Sequence, residues 1–158
     1  MTRLVRITTV PISLDKLLTH QMKFMKSNGF DVTMMSADGP EISRVVDREE
    51  CEHIIIPLTR QITPIKDSVA LYVLIKHLIR IKPDIVHSHT PKAGLIGMLA
   101  AWICRVPIRI HTVAGLPLQT SAGIKRRLLI QIEKLTYFFA NQVWPNSNSI
   151  MEFIKKIG

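Results

Sequence analysis

Two histidines stand one residue apart at the end of an apolar run, in the stretch His87-Ser88-His89-Thr90. Imidazole side chains can bind a metal ion or transfer protons near neutral pH. A zinc site needs further ligands, and the sequence has no Cys/His cluster to supply them. A Gly-x-Ser-x-Gly turn, which would carry a serine nucleophile, is also absent. The sequence therefore predicts no metal site. It leaves two interpretations of the histidines, as ligand-binding residues or as hydrogen-bonded core residues.

The residues after the histidine pair favour an anion-binding helix start. Thr90 is suited to cap a helix, and Pro91 suits a first turn in which the N–H has no helical partner. A helix N-terminus presents free N–H groups and a partial positive charge, and Lys92 would add a full charge. We therefore expect Thr90 and Lys92 to bind phosphate or sugar groups together with His87 and His89.

The same stretch predicts how the strand and the helix pack. Alternation along a strand places His87 and His89 on one face of the sheet and Ser88 on the other. Gly94 and Gly97, which have no side chain, are expected to let the helix approach the sheet closely.

Six apolar runs alternate with helical patterns along the chain. Runs of this kind are typical of a parallel sheet with helices on both faces. The predicted fold is α/β, a Rossmann-like three-layer parallel sheet in the order 3-2-1-4-5-6, forming one domain over residues 1–158. The predicted strands are 4–10, 30–36, 53–58, 84–89, 107–113 and 142–147.

Three further expectations concern individual elements. Residues 14–27 are expected to form one helix, and Trp144 is expected in the core. The helix after the fifth strand is expected to bury one apolar face, and Glu133 on it to pair with Arg126 or Arg127. The predicted buried face consists of Ile124, Leu128, Ile132, Leu135 and Phe139.

The predicted topology also places a site. Ligands bind beyond the carboxyl ends of the strands where strand order reverses, which here lies between the first and fourth strands. The loop with Pro11, Ile12 and Ser13 ends the first strand, across from His87. That loop has no glycine, so the G-x-G-x-x-G fingerprint of a nicotinamide or flavin dehydrogenase is missing, and no Walker sequence is present.

Charge narrows the choice of partners. The formal net charge is +9, which favours phosphates of nucleic acids, anionic lipids or phosphorylated substrates. No helix-turn-helix, zinc-finger or RNP-like motif accompanies it, so nucleic acid is not expected as a partner. No apolar run reaches the roughly 18 residues of a membrane span, and no signal peptide is recognisable. A cytoplasmic protein, peripheral at the inner face of the membrane, is expected.

Basic residues recur on two predicted helices and suggest where a membrane would bind. Lys16 and Lys23 lie opposite the apolar face of the first helix, and Lys125, Arg126 and Arg127 begin the helix after the fifth strand. Basic rows beside apolar residues suit an anionic bilayer, although such rows are often only solvated faces. We expect both helices to face the bilayer surface.

Three stretches together resemble a known family. They are DIVHSHTPKAGLIGMLAAW, VPIRIHTVAGLP and IEKLTYFFANQVWPNSNSI. In order and spacing they are similar to the N-terminal half of a family 4 glycosyltransferase of the GT-B fold. More narrowly, they resemble bacterial enzymes that build capsular or lipopolysaccharide-type glycans on a lipid carrier.

The resemblance implies an acceptor-binding domain that works with a C-terminal, donor-binding domain. The enzyme would move a sugar from a nucleotide sugar to a lipid-phosphate-linked or glycan acceptor, with retention and without an essential metal. No cofactor is implied, because the nucleotide sugar is a co-substrate. The resemblance places Ala114 and Gly115 in the cleft, where many relatives have Thr-x-His-Gly, and His111 is not expected to replace that histidine.

The chain stops at KKIG, where the family continues toward its second domain. The sequence is therefore interpreted as a truncated protein, a gene fragment or half of a split enzyme, inactive alone and with its catalytic residues unassigned. Two alternatives stay open. One is a non-catalytic, membrane-recruiting subunit of a split glycosyltransferase, and the other is half of a sugar-nucleotide epimerase.

Overall fold

The structure, a computed structural model, describes residues 1–113 and 123–157, without the side chains of Lys125 and Ile157. Six strands alternate with seven helices in this part of the chain. The strands are β1 (Thr2–Ile7), β2 (Phe30–Ser36), β3 (Glu52–Ile55), β4 (Ile85–His89), β5 (Ile108–Val113) and β6 (Gln142–Pro145). The helices are α1 (Pro11–Leu17), α2 (Gln21–Ser27), α3 (Ile42–Glu49), α4 (Pro64–Ile81), α5 (Pro91–Ile103), α6 (Gly123–Phe139) and α7 (Asn148–Ile157).

The six strands form one parallel sheet in the order β3-β2-β1-β4-β5-β6, which confirms the predicted fold. In the register of the central strands, Arg6 lies beside His87 and Ser88 lies beside His111. Strand order reverses between β1 and β4, as predicted. The carboxyl ends of these two strands therefore open the crevice in which ligands of such sheets bind.

Alternate residues of β1 separate the two helical layers. Val5 and Ile7 pack into a core that includes Leu74 of α4 and Met98 of α5. Leu4 faces the opposite way, into a second core with residues of α1, α2 and α3 such as Leu14. Helix α6 packs against α5, and so belongs to the first layer.

The first connection contains two short helices, which corrects the prediction of one helix over residues 14–27. His20 lies between α1 and α2 with a left-handed φ of 62°. The buried Glu49 carboxylate accepts the backbone N–H groups of His20 (2.7 Å) and Lys23 (3.2 Å) and the Arg48 Nε–H (2.8 Å). A carboxylate from α3 thus binds the exposed start of α2, and this tertiary contact outweighs the local helical pattern.

Helix α6 is rotated relative to its predicted orientation. Ile124 is 85% exposed, and Leu128 and Leu135 are also largely exposed. Glu133 and Thr136 are buried instead. The helix therefore turns a polar pair toward the sheet and leaves an apolar stripe in solvent.

The predicted close approach of α5 to the sheet is confirmed. A Cβ added to Gly94 would lie 2.4 Å from His111 Cε1, whereas one added to Gly97 would meet the Ile7 Cδ1 methyl at 3.2 Å. The His111 imidazole therefore occupies the space that a side chain at position 94 would need.

Candidate binding site at the carboxyl edge of the sheet

The junction between β4 and α5 is held by threonines from two strands. Thr90 has a φ of 80°, a strained value for a residue with a β-branched side chain. Its hydroxyl lies 2.8 Å from Thr9 Oγ1 and accepts the Thr9 N–H at 3.2 Å. Thr9 Oγ1 in turn accepts the Ala93 N–H at 3.3 Å. Thr90 therefore occupies the N-cap position of α5 as predicted, but its side chain makes no capping hydrogen bond, and Thr9 after β1 supplies the capping oxygen instead.

Lys92 is engaged by its surroundings, unlike the free cation that the sequence suggested. Its ammonium lies 2.6 Å from Asp67 Oδ1 and donates to Thr59 Oγ1 at 2.9 Å. This ion pair ties α5 to α4 and to the loop before α4. Lys92 borders the site, but most of its charge is balanced by Asp67.

His87 and His89 lie on the same face and stack, with ring centroids 4.2 Å apart, as the alternation predicted. His87 Nε2 and Thr112 Oγ1 share a hydrogen bond of 2.7 Å, and Arg6 Nη1–H donates to His89 Nε2 at 2.9 Å. Trp144 contacts the His87 ring edge-on but is 49% exposed, so its predicted core position is wrong.

The histidine cluster is uncharged at neutral pH. Burial is the main cause, and it lowers the pKa of His87 to about 2 and that of His89 to about 3, with the Arg6 charge acting in the same direction. Burial likewise lowers the pKa of His111 to about 4. These imidazoles can donate or accept hydrogen bonds as neutral groups, and they are poor proton-transfer catalysts near pH 7.

Arg6 is a buried cation without a carboxylate partner among the described residues. It is 6% exposed, its Nε atom has no hydrogen-bond partner, and burial lowers its pKa to about 10. The group therefore remains charged at neutral pH. An unbalanced buried charge makes the local potential positive and favours an anion nearby. This residue was missed at the sequence level because a lone arginine within a strand gives no pattern.

The loop after β1 contributes only part of the predicted site. Pro11 is buried and packs against Gly39, where an added Cβ would lie 2.6 Å from Pro11 Cγ. Ile12 is exposed at the start of α1. Ser13 lies in the first turn of α1 and lines the neighbouring groove.

A groove of about 670 Å³ opens at this edge of the sheet. Its walls are mainly apolar, and its polar groups include Ser13, Thr90, Arg60 and the Lys92–Asp67 pair. Its apolar lining residues are Val10, Ile62, Leu95, Ile96, Leu129 and Ile132.

A second cavity of about 150 Å³ shares Thr90 and Pro91 with this groove. Its lining includes His111, Thr112 and the buried Glu133. We call it the small cavity. Its position next to the start of α5 places it at the same edge as the groove.

A family model for the glycosyl transferase 4-like domain matches residues 17–158 of the chain. The match covers most of the sequence. The chain belongs to the glycosyl transferase 4-like family. This confirms the resemblance drawn from the three sequence stretches.

Curated relatives of this glycosyl transferase 4-like chain are transferases. It is 40% identical over 134 residues to the capsular polysaccharide biosynthesis glycosyltransferase CapM of Staphylococcus aureus, covering 85% of the chain and 34% of that protein. It is 29% identical over 120 residues to an Escherichia coli UDP-Gal:α-D-GlcNAc-diphosphoundecaprenol α-1,3-galactosyltransferase, covering 76% of the chain and 30% of that protein. The chain thus spans about a third of the length of these relatives.

Solved structures share the fold of the glycosyl transferase 4-like chain. A UDP-N-acetylglucosamine 2-epimerase superposes with a TM-score of 0.74 at 20% identity, covering 98% of the chain and 44% of that structure. Identity at this level supports the fold alone. It gives the epimerase alternative no support beyond the shared sheet topology.

The predicted basic residues of this glycosyl transferase 4-like chain lie on α1, α2 and α6. Lys16 and Lys23 lie in the layer of α1 and α2, and Lys23 pairs with Glu50. Arg126 and Arg127 are exposed on α6, in the opposite layer. The Lys125 side chain, Ala114 and Gly115 lie outside the described residues.

The part of the chain that the structure describes has neither a membrane-spanning helix nor a cluster of metal ligands. No helix there is both long and apolar enough to cross a bilayer. No group of three or more His, Cys, Asp or Glu side chains there is arranged to hold a metal ion.

Proposed function

We propose that this chain is the acceptor-binding half of a retaining glycosyltransferase. The enzyme would transfer a sugar from a nucleotide sugar to a lipid-diphosphate-linked glycan during capsular or lipopolysaccharide-type polysaccharide synthesis. Family membership and the names of the two curated relatives support the reaction class. The donor would bind to a second domain, supplied by the same polypeptide or by a separate subunit.

The groove at the carboxyl edge of the sheet, which we call the acceptor groove, is the observation that carries the proposal. Its apolar walls suit an isoprenoid tail, and its volume of about 670 Å³ lies in the range of ligand pockets. Arg60 at the groove and the buried Arg6 nearby at the same edge favour the negative diphosphate. An apolar groove beside unbalanced positive charge fits a lipid diphosphate better than a free nucleotide.

This half of the enzyme would contribute to the reaction by positioning the acceptor. Burial lowers the pKa values of His87, His89 and His111 far below 7. None of these imidazoles is therefore poised to act as a general base near pH 7. In a retaining transferase the leaving nucleoside diphosphate needs stabilisation, and we assign that to the donor-binding domain. This half would hold the acceptor hydroxyl in place and exclude water from it.

We further propose that α6 attaches the protein to the membrane surface. Its exposed apolar stripe includes Ile124, Leu128, Leu135 and Phe138, and Arg127 and Lys134 flank that stripe. An apolar stripe with basic flanks is typical of helices that lie in an anionic interface.

Direct binding tests the acceptor assignment. The chain would be titrated with a short-chain polyprenyl diphosphate and with the corresponding monophosphate and alcohol, and binding followed by calorimetry. We expect the diphosphate to bind at least about tenfold more tightly than the alcohol, which is about 1.4 kcal/mol. Arg60→Gln should reduce that difference, whereas Arg105→Gln, outside the groove, should leave it unchanged. Equal affinity for all three lipids would contradict the proposal.

A further inference from the structure

The small cavity contains a buried carboxyl oxygen that has no hydrogen-bond partner among the described residues. Glu133 is 4% exposed, and its Oε2 atom makes no hydrogen bond to any of those residues. Burial and the neighbouring Glu133 carboxyl raise the pKa of the Tyr137 hydroxyl, one turn along α6, so these two side chains interact. A buried carboxyl oxygen left unsatisfied costs about 1–3 kcal/mol of stability. Protein folds seldom leave such groups unpaired unless a ligand or water completes them.

The ion pair predicted for Glu133 is absent from the described structure. Glu133 was expected to pair with Arg126 or Arg127, but both arginines are exposed and neither forms a salt bridge with it in the described structure. Burial instead raises the pKa of the Glu133 carboxyl above its ordinary value. The group therefore tends toward the neutral acid, which can both donate and accept a hydrogen bond.

His111 forms the rigid wall of this cavity. Ser88 Oγ and His111 Nδ1 share a hydrogen bond of 2.8 Å, and Gly94 packs directly on the ring. The imidazole is 1% exposed and neutral at pH 7. Among the described residues, the lining includes the Glu133 carboxyl, the fixed neutral imidazole of His111 and Thr112, and no cationic side chain. Such a lining suits hydroxyl groups rather than phosphate.

The geometry points to a hydroxyl-binding subsite in which Glu133 holds a sugar ring of the glycan acceptor. The inference rests on the proposed function. The small cavity adjoins the acceptor groove at Thr90 and Pro91, so a lipid diphosphate in the groove would present its first sugar to it. Glu133 would be a specificity-determining residue that selects glycosylated over sugar-free lipid carriers.

The test compares two lipids and three variants. Polyprenyl diphosphate with and without a single N-acetylglucosamine would be titrated into the chain, and the ratio of the two affinities measured. We expect the glycosylated lipid to bind about tenfold more tightly to the wild type. Glu133→Leu should bring the ratio to about one, and Glu133→Gln should retain most of it because the amide still donates and accepts. Glu152→Leu on the exposed face of α7 is the matched control and should keep the full ratio.

A stability measurement separates recognition from structure. Because Oε2 is unpaired, Glu133→Leu should leave the urea midpoint unchanged or raise it, whereas a structural carboxylate would lower it. As a second readout, free N-acetylglucosamine should shift the His111 imidazole signals in a saturable way in NMR spectra. This measurement does not depend on lipid binding or on any variant.

Each result assigns a cause. If the wild type binds both lipids equally and free sugar leaves His111 unchanged, the cavity holds water only and the inference is overturned, while the acceptor proposal stands. If neither lipid binds, the acceptor proposal fails, and the NMR titration alone decides whether a sugar subsite exists. A Glu133→Leu variant that keeps the tenfold preference would also overturn the assignment of Glu133.

Discussion

The neutral, stacked histidines His87 and His89 and the unpaired Arg6 give the central strands their chemical character. Arginine and histidine side chains usually face solvent, yet here they are buried against each other beside Trp144. Their position beside the strand-order reversal, rather than their proton chemistry, makes them candidate binding residues.

The histidine cluster predicts a pH dependence of stability. The pKa values of His87, His89 and His111 fall to about 2, 3 and 4 on folding, from about 6.5 in the unfolded chain. Between roughly pH 4 and 6.5 the unfolded state therefore binds more protons, and stability should fall as the pH drops from 7 to 5. Glu133, whose pKa is raised on folding, should make stability rise on acidification, but it is one group against three imidazoles.

Thermal unfolding between pH 5 and 8 checks this prediction, and NMR gives a direct control. The three imidazoles should not titrate between pH 7.5 and 5.5 in the folded protein but should titrate normally in urea. A melting temperature that is constant or rises on acidification, with imidazole signals that titrate near pH 6.5, would contradict it.

A second prediction concerns two adjacent carboxylates with different surroundings. Burial alone would raise the pKa of Glu49, but the Arg48 guanidinium and two backbone N–H groups outweigh it and lower the pKa. Glu49→Leu leaves these donors unpaired and should cost about 3 kcal/mol or more. Glu50→Gln removes only an exposed pair with Lys23 and should leave the urea midpoint nearly unchanged. Urea denaturation of both variants measures these effects. Equal losses of stability in the two variants would refute the role given to Glu49.

At the scale of elements, α5 joins the strand edge to both cavities. It begins at the strained Thr90, is capped by Thr9 from β1, and is tied to α4 by Lys92 and Asp67. Its two inward glycines set its distance from the sheet. The start of the helix therefore lies where the acceptor groove and the small cavity meet.

Close packing of α5 makes a testable difference between its glycines. Gly94→Ala would place a methyl against the His111 ring, which is fixed by Ser88, and should cost about 1–3 kcal/mol. Gly97→Ala meets only the end of the flexible Ile7 side chain, so its cost should be smaller. Denaturant midpoints measure both. A larger effect at position 97 would show that His111 can move aside.

At the scale of the whole molecule, exposed apolar surface is concentrated on two helices. The α6 stripe is flanked by arginine and lysine, and Phe138 in it is 70% exposed. Helix α4 exposes a comparable stripe that includes Ile65 and Tyr72. Both stripes have exposed basic residues beside them, Arg127 and Lys134 on α6 and Lys76 and Arg80 on α4. Helix α6 is the proposed membrane-facing side because it also lines the acceptor groove.

Liposome sedimentation tests this orientation. A Leu128→Gln/Phe138→Gln double variant should bind anionic vesicles about tenfold more weakly, because it removes apolar area that would enter the interface. Ile65→Gln/Tyr72→Gln on α4 is the matched control and should bind like the wild type. Equal losses in the two double variants, or no binding by the wild type, would exclude α6 as the attachment surface.

Local patterns in the sequence were sufficient for the fold class and the strand order, and the resemblance of three stretches was sufficient for the family. Strand alternation placed His87 and His89 together, and the glycines of α5 indicated close packing. These properties depend on residues near one another in the chain, whose periodicity is the same before and after folding.

Only the tertiary structure decided the features that depend on distant partners. The Glu49 carboxylate separates α1 from α2 by accepting the Lys23 N–H, although the two residues are 26 positions apart in the chain. The Thr9 hydroxyl caps α5 by accepting the Ala93 N–H, although these residues are 84 positions apart. The face of α6 that is buried, and with it the unpaired Glu133, follows from packing against α5 and β5 rather than from hydrophobicity. A helical repeat can define an apolar stripe, but what lies opposite that stripe is determined by the rest of the fold.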